Sequence, residues 1–257
     1  MKPDLTQLRD LIDTVPGFGH GPAGGTRERE AMTVAAEARV GPLPPSYRWW
    51  LTEVGGTQAP GTDLATVGPD VPGYDPYDLI TAPWRLRGDR LRFGAEPDCG
   101  YGYSFALDRR PDSPDGELPV VCHDGTIDEE HPVAESFAGF LTVLAARQLG
   151  LGDGPQPELA RLWRSTPGAL LDNGVHVYGP HLFVERNGSF EVARRAPHWV
   201  LVGDDGRGGA LLMRRHGRDR RQLYRLDPEA LGPGVEADGE PLTDDLLGWL
   251  SRGAPLP

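Results

Sequence analysis

The chain has 257 residues, of which 38% are hydrophobic, and a formal net charge of −12 at pH 7. This length suits one large domain or two ordinary ones, and the composition supports a packed core. No apolar run approaches the length of a membrane span, the N-terminus does not resemble a signal peptide, and two cysteines cannot form a disulfide framework. These features predict a cytoplasmic protein that has no membrane segment.

The negative charge is concentrated in the first part of the chain. Residues 1–150 carry 13 Lys and Arg against 23 Asp and Glu, a net charge of −10, and residues 151–257 carry 13 against 15, a net charge of −2. An acidic surface repels the phosphate backbone of nucleic acids and complements a basic protein. We therefore expect no direct nucleic-acid binding by residues 1–150. A basic protein partner and simple solubility both remain as explanations of the charge.

Helical patterns come first along the chain. A leucine-rich stripe predicts one helix near the N-terminus, and Thr26 is placed to cap a second. The predicted inner faces of these helices are Leu5, Leu8, Leu11 and Ile12 in the first, and Ala31, Val34, Ala35 and Ala38 in the second. The segment GPLPPSYRWWLTEVGG (41–56) predicts a third, short helix that begins at Pro45 and ends before Gly55-Gly56. Its apolar face comprises Tyr47, Trp50, Leu51 and Val54.

Short segments separated by Gly, Pro and Asp follow the third helix. Their composition predicts strands at Leu64–Val67, Leu91–Phe93, Tyr101–Leu107 and Leu118–Cys122. The helical period returns from Val133 to Leu144, and we interpret His131-Pro132 as the start of this helix. Helices, then strands, then a closing helix predict an α+β fold with an antiparallel sheet.

The order and spacing of these segments resemble the SUKH superfamily. The resemblance is carried by Ala31, Glu37, Gly41, Leu43-Pro44, Tyr47, Leu51 and Gly55-Gly56, and by LRFGAEPDCGYGYSFALD (91–108), PVVCHD (119–124) and VAESFAGFL (133–141). This superfamily groups bacterial immunity proteins, which neutralise polymorphic toxins, with fungal regulators of cell-wall synthesis. The resemblance covers residues 1–150 and implies a SUKH-like domain there that acts by binding another protein.

A Gly- and Pro-rich segment, GLGDGPQP (150–157), predicts the boundary of a second, smaller α+β domain over residues 158–257. Asn187-Gly188 between two strand-like runs predicts a type I′ β-hairpin. The other predicted elements are a helix at Glu158–Ser165, strands at Trp199–Val202, Ala210–Arg214 and Leu223–Leu226, and a helix at Asp244–Leu250 capped by Thr243. The segments WVLVGDDGRGGALLMR and LTDDLLGWL echo 91–108 and 133–141. The domain is either a degenerate SUKH-like repeat of the first or an unrelated small α+β module.

No motif predicts a catalytic centre. The segment 19–24 matches G-x-G-x-x-G by letter but follows a helix rather than a strand, and the turn Asp204–Gly209 lacks the Lys-Ser/Thr of a P-loop. The residues Cys99, Cys122, His123 and His131 do not have the spacing of zinc ligands. Spacing alone also does not pair Cys122 with His123 as a nucleophile. We therefore expect no enzyme activity, no cofactor and no metal.

Acidic and aromatic residues alternate in the turns of residues 74–130, and together they suit a grip on a basic protein. The predicted partner-binding residues are Asp75, Asp78, Trp84, Glu96, Asp98, Tyr101, Tyr103, Asp124, Asp128, Glu129 and Glu130. Ordinary solvated turns are the alternative explanation. The Arg-rich run Arg214–Arg225 would suit an acidic or nucleic-acid partner, although solvent-facing positions around a hairpin are the preferred explanation.

Together, these features favour a non-enzymatic immunity protein that binds and occludes a cognate basic toxin domain. A nuclease or another toxin that acts on nucleic acids is the expected target, because the clefts of such enzymes are basic. The alternative is a regulatory scaffold that binds an endogenous partner in cell-wall synthesis or signalling. The sequence does not indicate an oligomeric state.

Overall fold

The computed structural model describes residues 2–21, 25–67, 86–97, 99–112, 115–125, 127 and 129–257. Within these residues the chain divides into two compact units. The first unit comprises Pro16–Leu144, and the second comprises Pro3–Val15 together with Ala145–Pro257. Each contains helices and an antiparallel sheet, so the predicted α+β class is confirmed. In the described part of the chain, no helix is long and apolar enough to cross a membrane.

The helices of the first unit are α2 (Thr26–Val40), α3 (Pro45–Trp49) and α4 (Phe137–Gln148), the last of which continues past the unit boundary at Leu144. A π-helical turn, Trp50–Val54, continues α3 and ends at Gly55, where φ is +64°. The predicted short helix is therefore present, and its four apolar residues, Tyr47, Trp50, Leu51 and Val54, are all buried.

The predicted inner face of α2 is wrong. Ala31, Val34, Ala35 and Ala38 are exposed, whereas Arg29, Thr33 and Ala36 are buried. The Arg29 guanidinium donates from Nε to the carbonyl of Thr52 at 2.9 Å, and the Thr33 hydroxyl donates to the carbonyl of Arg29. Because backbone carbonyls satisfy these two polar side chains, α2 packs on a face that hydrophobic periodicity does not predict.

The sheet of the first unit has the strand order β1-β2-β4-β5-β6-β7, with β3 paired to β4. The strands are β1 (Gln58–Ala59), β2 (Thr62–Leu64), β3 (Leu86–Arg87), β4 (Arg90–Ala95), β5 (Tyr101–Ala106), β6 (Val120–Asp124) and β7 (Glu129–Ala134). On the helix-covered face, the ring of Tyr47 contacts those of Phe93, Phe105 and Phe137 at centroid distances of 4.8–5.6 Å. This aromatic cluster is the core of the first unit, and it leaves the alternate residues of each strand on the opposite face.

The interpretation of His131-Pro132 as a helix start is also wrong, because both residues lie in β7. β7 is an edge strand of the sheet. Proline is tolerated in an edge strand because its missing N–H can face solvent, where no neighbouring strand needs a hydrogen bond from it. Helix α4 begins five residues after Pro132, at Phe137. Ser136 caps it by accepting a hydrogen bond from the N–H of Gly139 at 2.9 Å.

The second unit contains α1 (Leu5–Thr14) and all elements from α5 onward. Its helices are α5 (Pro157–Trp163), α6 (Pro180–Ser189), α7 (Val192–Arg195), α8 (Val235–Asp238) and α9 (Leu246–Ser251). Its strands are β8 (Ala169–Leu170), β9 (His176–Val177), β10 (Trp199–Asp204), β11 (Ala210–Arg214), β12 (Leu223–Leu226) and β13 (Glu240–Thr243). They are ordered β13-β12-β11-β10-β9-β8, and every adjacent pair is antiparallel.

The predicted hairpin at Asn187-Gly188 is wrong, because both residues lie in the last turn of α6. The Asn187 side chain accepts a hydrogen bond from Leu201 N at 3.0 Å and donates one to Leu201 O at 2.7 Å. Asn187 therefore links α6 to β10, and this tertiary role overrides the local turn preference of Asn-Gly. The predicted strands at β10, β11 and β12 are present, and α9 is capped by Asp245 rather than by Thr243.

The N-terminal helix was expected in the domain of residues 1–150, but it packs in the second unit. Asp4 N donates to Thr166 Oγ1 at 3.2 Å, and Gln7 Oε1 lies 3.3 Å from His176 Nε2. These polar contacts and the buried leucines of α1 join it to the later segment. The structural division at Leu144–Ala145 also lies inside α4, whereas composition placed the boundary at 150–157.

Candidate functional site

Of the predicted partner-binding residues, Asp75, Asp78, Trp84, Asp98 and Asp128 lie outside the described residues. Four others meet at one end of the sheet of the first unit. Glu96 N donates to Tyr101 O at 3.1 Å, Tyr101 pairs with Asp124 across β5 and β6, and Asp124 pairs with Glu129 across β6 and β7. Antiparallel register thus places Glu96, Tyr101, Asp124 and Glu129 side by side; we call them the acidic row.

The acidic row is accessible to solvent and carries concentrated negative charge. Glu129 is exposed, and Glu96, Tyr101 and Asp124 are partly exposed. Asp124 raises the pKa of Tyr101 above its ordinary value, with smaller contributions in the same direction from desolvation and from Glu96. The neutral phenol is favoured because its ionised form would add a further negative charge beside these carboxylates.

Tyr103 and Glu130 do not belong to the acidic row. The Tyr103 side chain is a core residue, because it is 2% exposed and its ring lies 4.7 Å from that of Phe140. Only its hydroxyl reaches the row, where it donates to the Glu96 carboxylate. Tyr103 therefore cannot present its ring to a partner, and its prediction as a partner-binding residue is wrong. Alternation along β5 predicts which residues share a face of the sheet, but not which face the helices cover.

Glu130 lies on the opposite face of the sheet, since neighbouring residues of a strand alternate between faces. Its carboxylate accepts two hydrogen bonds from the Arg90 guanidinium, from Nε and from Nη2, both at 2.9 Å. A bidentate pair of this kind balances the charge of the carboxylate. Glu130 therefore belongs with the arginines of that face and not with the acids at the sheet end.

The opposite face contains a cavity of about 430 Å³ that sequence reasoning missed. Arg87, Arg90, Arg92, Ser104, His123 and Glu130 contribute side chains to its lining. The available signal was the alternation in Arg90-Leu91-Arg92-Phe93, which predicts a strand with apolar residues on one face and arginines on the other. Arg92 lies in the segment 91–108 that carries the SUKH resemblance, but no ligand-binding motif includes these arginines, so the pattern predicted only a strand.

The two glycine-rich segments have structural roles. In the loop 19–24, of which residues 22–24 lie outside the described residues, Gly19 N donates to Gln58 O at 3.0 Å and Gly21 N donates to Val54 O at 2.9 Å. In the turn 204–209, the fully buried Asp205 accepts hydrogen bonds from Arg207 N at 2.8 Å and Gly209 N at 2.7 Å, and it forms an ion pair with Arg225.

These contacts lower the pKa of Asp205. Burial alone would raise that pKa, but the hydrogen bonds from Arg207 N, the Arg225 side chain and Gly209 N outweigh the cost of desolvation. Asp205 is therefore an anchor for its own turn. Other members of the Arg-rich run are also engaged, since Arg214 pairs with Glu236 at 2.7 Å and its guanidinium lies over the Trp199 ring.

The cysteine and histidine candidates do not form a common site in the described residues. Both cysteines are free thiols, with Cys122 buried and Cys99 exposed. Cys122 and His123 are consecutive residues of β6 and alternate in direction, with His123 lining the cavity on the other face. Among described residues, no group of three or more His, Cys, Asp or Glu is placed to hold a metal ion.

No protein-family model and no curated protein matches the chain.

Proposed function

We propose that the chain is a non-enzymatic immunity protein of SUKH type that covers the basic cleft of a toxin, with a nuclease or another nucleic-acid-acting toxin as the preferred target. The acidic row carries this proposal. It places the carboxylates of Glu96, Asp124 and Glu129 around Tyr101 at an accessible end of a rigid sheet. Carboxylates arranged around an aromatic side chain are suited to arginine and lysine side chains of a partner protein.

The segments that carry the SUKH resemblance support the proposal because they form one continuous structure. Segment 91–108 spans most of β4, β5 and the start of a 3₁₀ turn, segment 119–124 forms β6, and segment 133–141 joins β7 to α4. The Tyr47 ring of α3 packs against Phe93 and Phe105 from these strands. The segments therefore belong to a single core, which is the arrangement that the resemblance implies.

We also infer that the second unit is a degenerate copy of the first. The β4–β5 pair has a register shift between Arg92 and Gly94, and the β10–β11 pair has one between Leu201 and Gly203. A second pair of shifts lies between Val120 and Val121 and between Leu223 and Tyr224. In each unit the strand after this second shift, β7 or β13, leads directly into a capped helix, α4 or α9. The two segments read PVAESFAGFL and PLTDDLLGWL.

The two units differ in the groups that contact the acid at the end of the sheet. Asp205 N donates to Gly209 O at 2.9 Å, as Glu96 N donates to Tyr101 O, so Asp205 occupies the position of Glu96. Arg225 neutralises Asp205, whereas Glu96 receives a hydrogen bond from the uncharged hydroxyl of Tyr103. The charge of Glu96 therefore contributes to the field of the row, which favours the first unit as the partner-binding unit.

Partner capture with the full chain tests the proposal. The chain and the triple variant Glu96→Gln, Asp124→Asn, Glu129→Gln are immobilised and exposed to lysate of the native cell, and bound proteins are identified by mass spectrometry. The matched control changes three exposed acids elsewhere, Glu28→Gln, Glu53→Gln and Asp244→Asn. We expect a basic protein that the chain and the control retain and the triple variant loses.

Expression of the captured protein then separates immunity from regulation. A toxin arrests growth when expressed alone, and co-expression of the chain restores growth. The partner of a regulatory scaffold does not arrest growth when expressed alone, so co-expression of the chain has no arrest to relieve. If the triple variant retained the same partner, the acidic row would not be the surface that binds it.

A further inference from the structure

The loop that joins β11 to β12, residues 215–222, is strongly basic although the net charge of the chain is −12. It reads RHGRDRRQ and contains four arginines against one acid, Asp219. Residues 215–221 are exposed to solvent, and Gln222 is partly exposed. We call this segment the arginine loop. The acidic row belongs to the first unit, so the proposed function does not involve this loop.

The backbone of the arginine loop is anchored near both of its ends. Arg215 N donates to His198 O at 2.8 Å, and the side chain of Gln156, the residue that caps α5, donates to Arg220 O. These bonds fix the path of the main chain without engaging the arginine side chains. A ligand would therefore meet a loop whose backbone is already ordered, which lowers the entropic cost of binding.

Acidic side chains pair with the arginines at the base of this hairpin. Arg214, the last residue of β11, pairs with Glu236 at 2.7 Å, and Arg221 Nε lies 3.5 Å from Glu158 Oε1. Among the residues that the structure describes, the other three arginines of the loop make no side-chain hydrogen bond or ion pair. These three are Arg215, Arg218 and Arg220. Their exposed guanidiniums are the unpaired cations of the loop.

The equivalent connection of the first unit does not carry this positive charge. Residues 107–119 join β5 to β6 as the arginine loop joins β11 to β12, and they contain four acids against two arginines. Within this connection Glu117 accepts hydrogen bonds from the backbone and hydroxyl of Ser46, and Arg110 donates to Pro42 O at 2.9 Å. Packing accounts for these two charged side chains, whereas it does not account for the unpaired arginines of the second unit.

We propose that the arginine loop binds the phosphate backbone of a nucleic-acid duplex, independently of the protein partner of the first unit. Guanidinium groups present paired N–H donors that match phosphate oxygens. The loop contains no large hydrophobic residue, and it therefore lacks the anchors that centre most protein–protein interfaces. Contacts to phosphates need only charge and hydrogen-bond donors and do not read bases, so binding should be independent of base sequence.

The net charge of the chain favours a duplex over an anionic membrane. A flat membrane surface would bring many acids of the chain close to charges of the same sign, because the net charge is −12. A duplex can instead contact the loop alone, since its major groove is wide enough for a two-stranded β-ribbon. The arginine loop continues such a ribbon, because it connects the paired strands β11 and β12.

Fluorescence anisotropy of a short labelled DNA duplex, titrated with the full chain, tests the proposal. We expect saturable binding that an unlabelled duplex of different sequence competes away. Since three arginines neutralise about three phosphates, the association constant should fall about 40-fold between about 50 and 200 mM salt. The triple variant Arg215→Gln, Arg218→Gln, Arg220→Gln should bind at least about tenfold more weakly at the lower salt and lose most of this salt dependence.

The matched control changes three other exposed arginines of the second unit, Arg164→Gln, Arg207→Gln and Arg252→Gln, and should bind like the unmodified chain. If the triple variant fails to fold, the single variant Arg218→Gln keeps the test decisive, because it should lower the salt slope by about one.

Absence of saturable binding to the duplex would overturn the proposal, as would an equal loss of binding in the control. Polyglutamate and vesicles that contain phosphatidylserine are the alternative probes. Binding of either probe without binding of the duplex would overturn the proposal in favour of an acidic protein or a membrane. A strong preference for one duplex sequence would also overturn it, because backbone phosphates do not distinguish sequences.

Discussion

The two sheets place an acid at the same position and use it differently. Asp205 is enclosed by two backbone N–H groups and Arg225, whereas Glu96 stands in a partly exposed row with Asp124 and Glu129. The decisive difference lies on the neighbouring strand, where Arg225 of β12 corresponds to Cys122 of β6 in strand register. The ion pair with Arg225 makes the acid structural in one sheet, whereas in the other sheet a thiol stands at the position of Arg225 and we propose that the acid binds a partner.

The largest expected losses of stability concern a feature that the two units share, a buried tryptophan in a helix or helical turn. Trp50 and Trp163 are both fully buried, and each donates from Nε1 to a backbone carbonyl, that of Gly56 at 3.1 Å and that of Tyr178 at 3.0 Å. We expect Trp50→Ala and Trp163→Ala each to lower the free energy of unfolding by about 3–5 kcal/mol. Hydrogen exchange should localise each loss to the unit that contains the substitution.

Trp49→Ala is the control, because Trp49 is partly exposed and should cost much less than Trp50. Equal losses at Trp49 and Trp50 would show that the helix buries a different face from the one described.

A smaller loss of stability is expected from neutralising Asp205 or Glu96, the acids at equivalent positions of the two sheets. Asp205→Asn should lower the free energy of unfolding at pH 7 by about 1.5–3 kcal/mol, because it leaves a charge-assisted network incomplete. Glu96→Gln should cost less than about 0.5 kcal/mol, since Glu96 is partly exposed and the amide oxygen can still accept from Tyr103. Urea denaturation of both variants at pH 7 measures this difference.

The cost of Asp205→Asn should also depend on pH. The pKa of Asp205 is lowered by folding, so the stabilisation is present above the pKa of the unfolded chain and is lost as pH falls through the folded-state pKa. The two proteins should therefore converge in acid, below about pH 4, where the unfolded carboxyl begins to take up a proton. A pH-independent difference would argue against the charged network.

Acidification from pH 7 to about pH 4 should move the two units in opposite directions, because the gain from Glu117 is complete only below the ordinary pKa of a glutamate. Burial raises the pKa of Glu117, which accepts hydrogen bonds from Ser46 N and Ser46 Oγ, both at 2.7 Å. Its contribution favours folding of the first unit at low pH and is lost as pH rises through the folded-state pKa. Burial lowers the pKa of His176 and His181, so their contribution to the second unit is present above about pH 6.5 and is lost as pH falls.

Hydrogen exchange at both pH values measures the two units in the same sample. Glu117→Gln should remove the gain from the first unit, and His176→Gln with His181→Gln should reduce the loss from the second. An unchanged pH response in these variants would assign the effect to other groups.

The sequence predicted features that depend on local order more successfully than features that depend on packing. Pro45 and Gly55 bound the short helix as expected, and alternating residues located most of β4, β5 and β6. Packing decided the rest: Asn187 bonds to Leu201 instead of forming a turn, and Arg29 is buried because a backbone carbonyl satisfies it.

The candidate site was only partly predictable for the same reason. The acids were evident in the sequence, but the face on which each lies depends on register, and register separated Glu129 from Glu130 and buried Tyr103. The cavity lined by Arg87, Arg90 and Arg92 was only partly indicated by the alternation in 90–93, because its other residues come from several strands and no ligand-binding motif connects them.

Only a small effect on stability is expected from changing the acidic row, whereas the effect on association should be large. The triple variant Glu96→Gln, Asp124→Asn, Glu129→Gln should change the free energy of unfolding by less than about 1 kcal/mol, because these side chains are accessible to solvent. With a basic partner, stopped-flow measurements should show an association rate that falls as salt is raised, because ions screen the attraction between exposed charges. The triple variant should associate more slowly at low salt and lose most of this salt dependence, whereas the control with Glu28, Glu53 and Asp244 changed should retain it. If the triple variant keeps the full salt dependence while Arg214→Gln with Arg221→Gln abolishes binding, the partner surface belongs to the second unit, and the difference between the two sheets has no role in recognition.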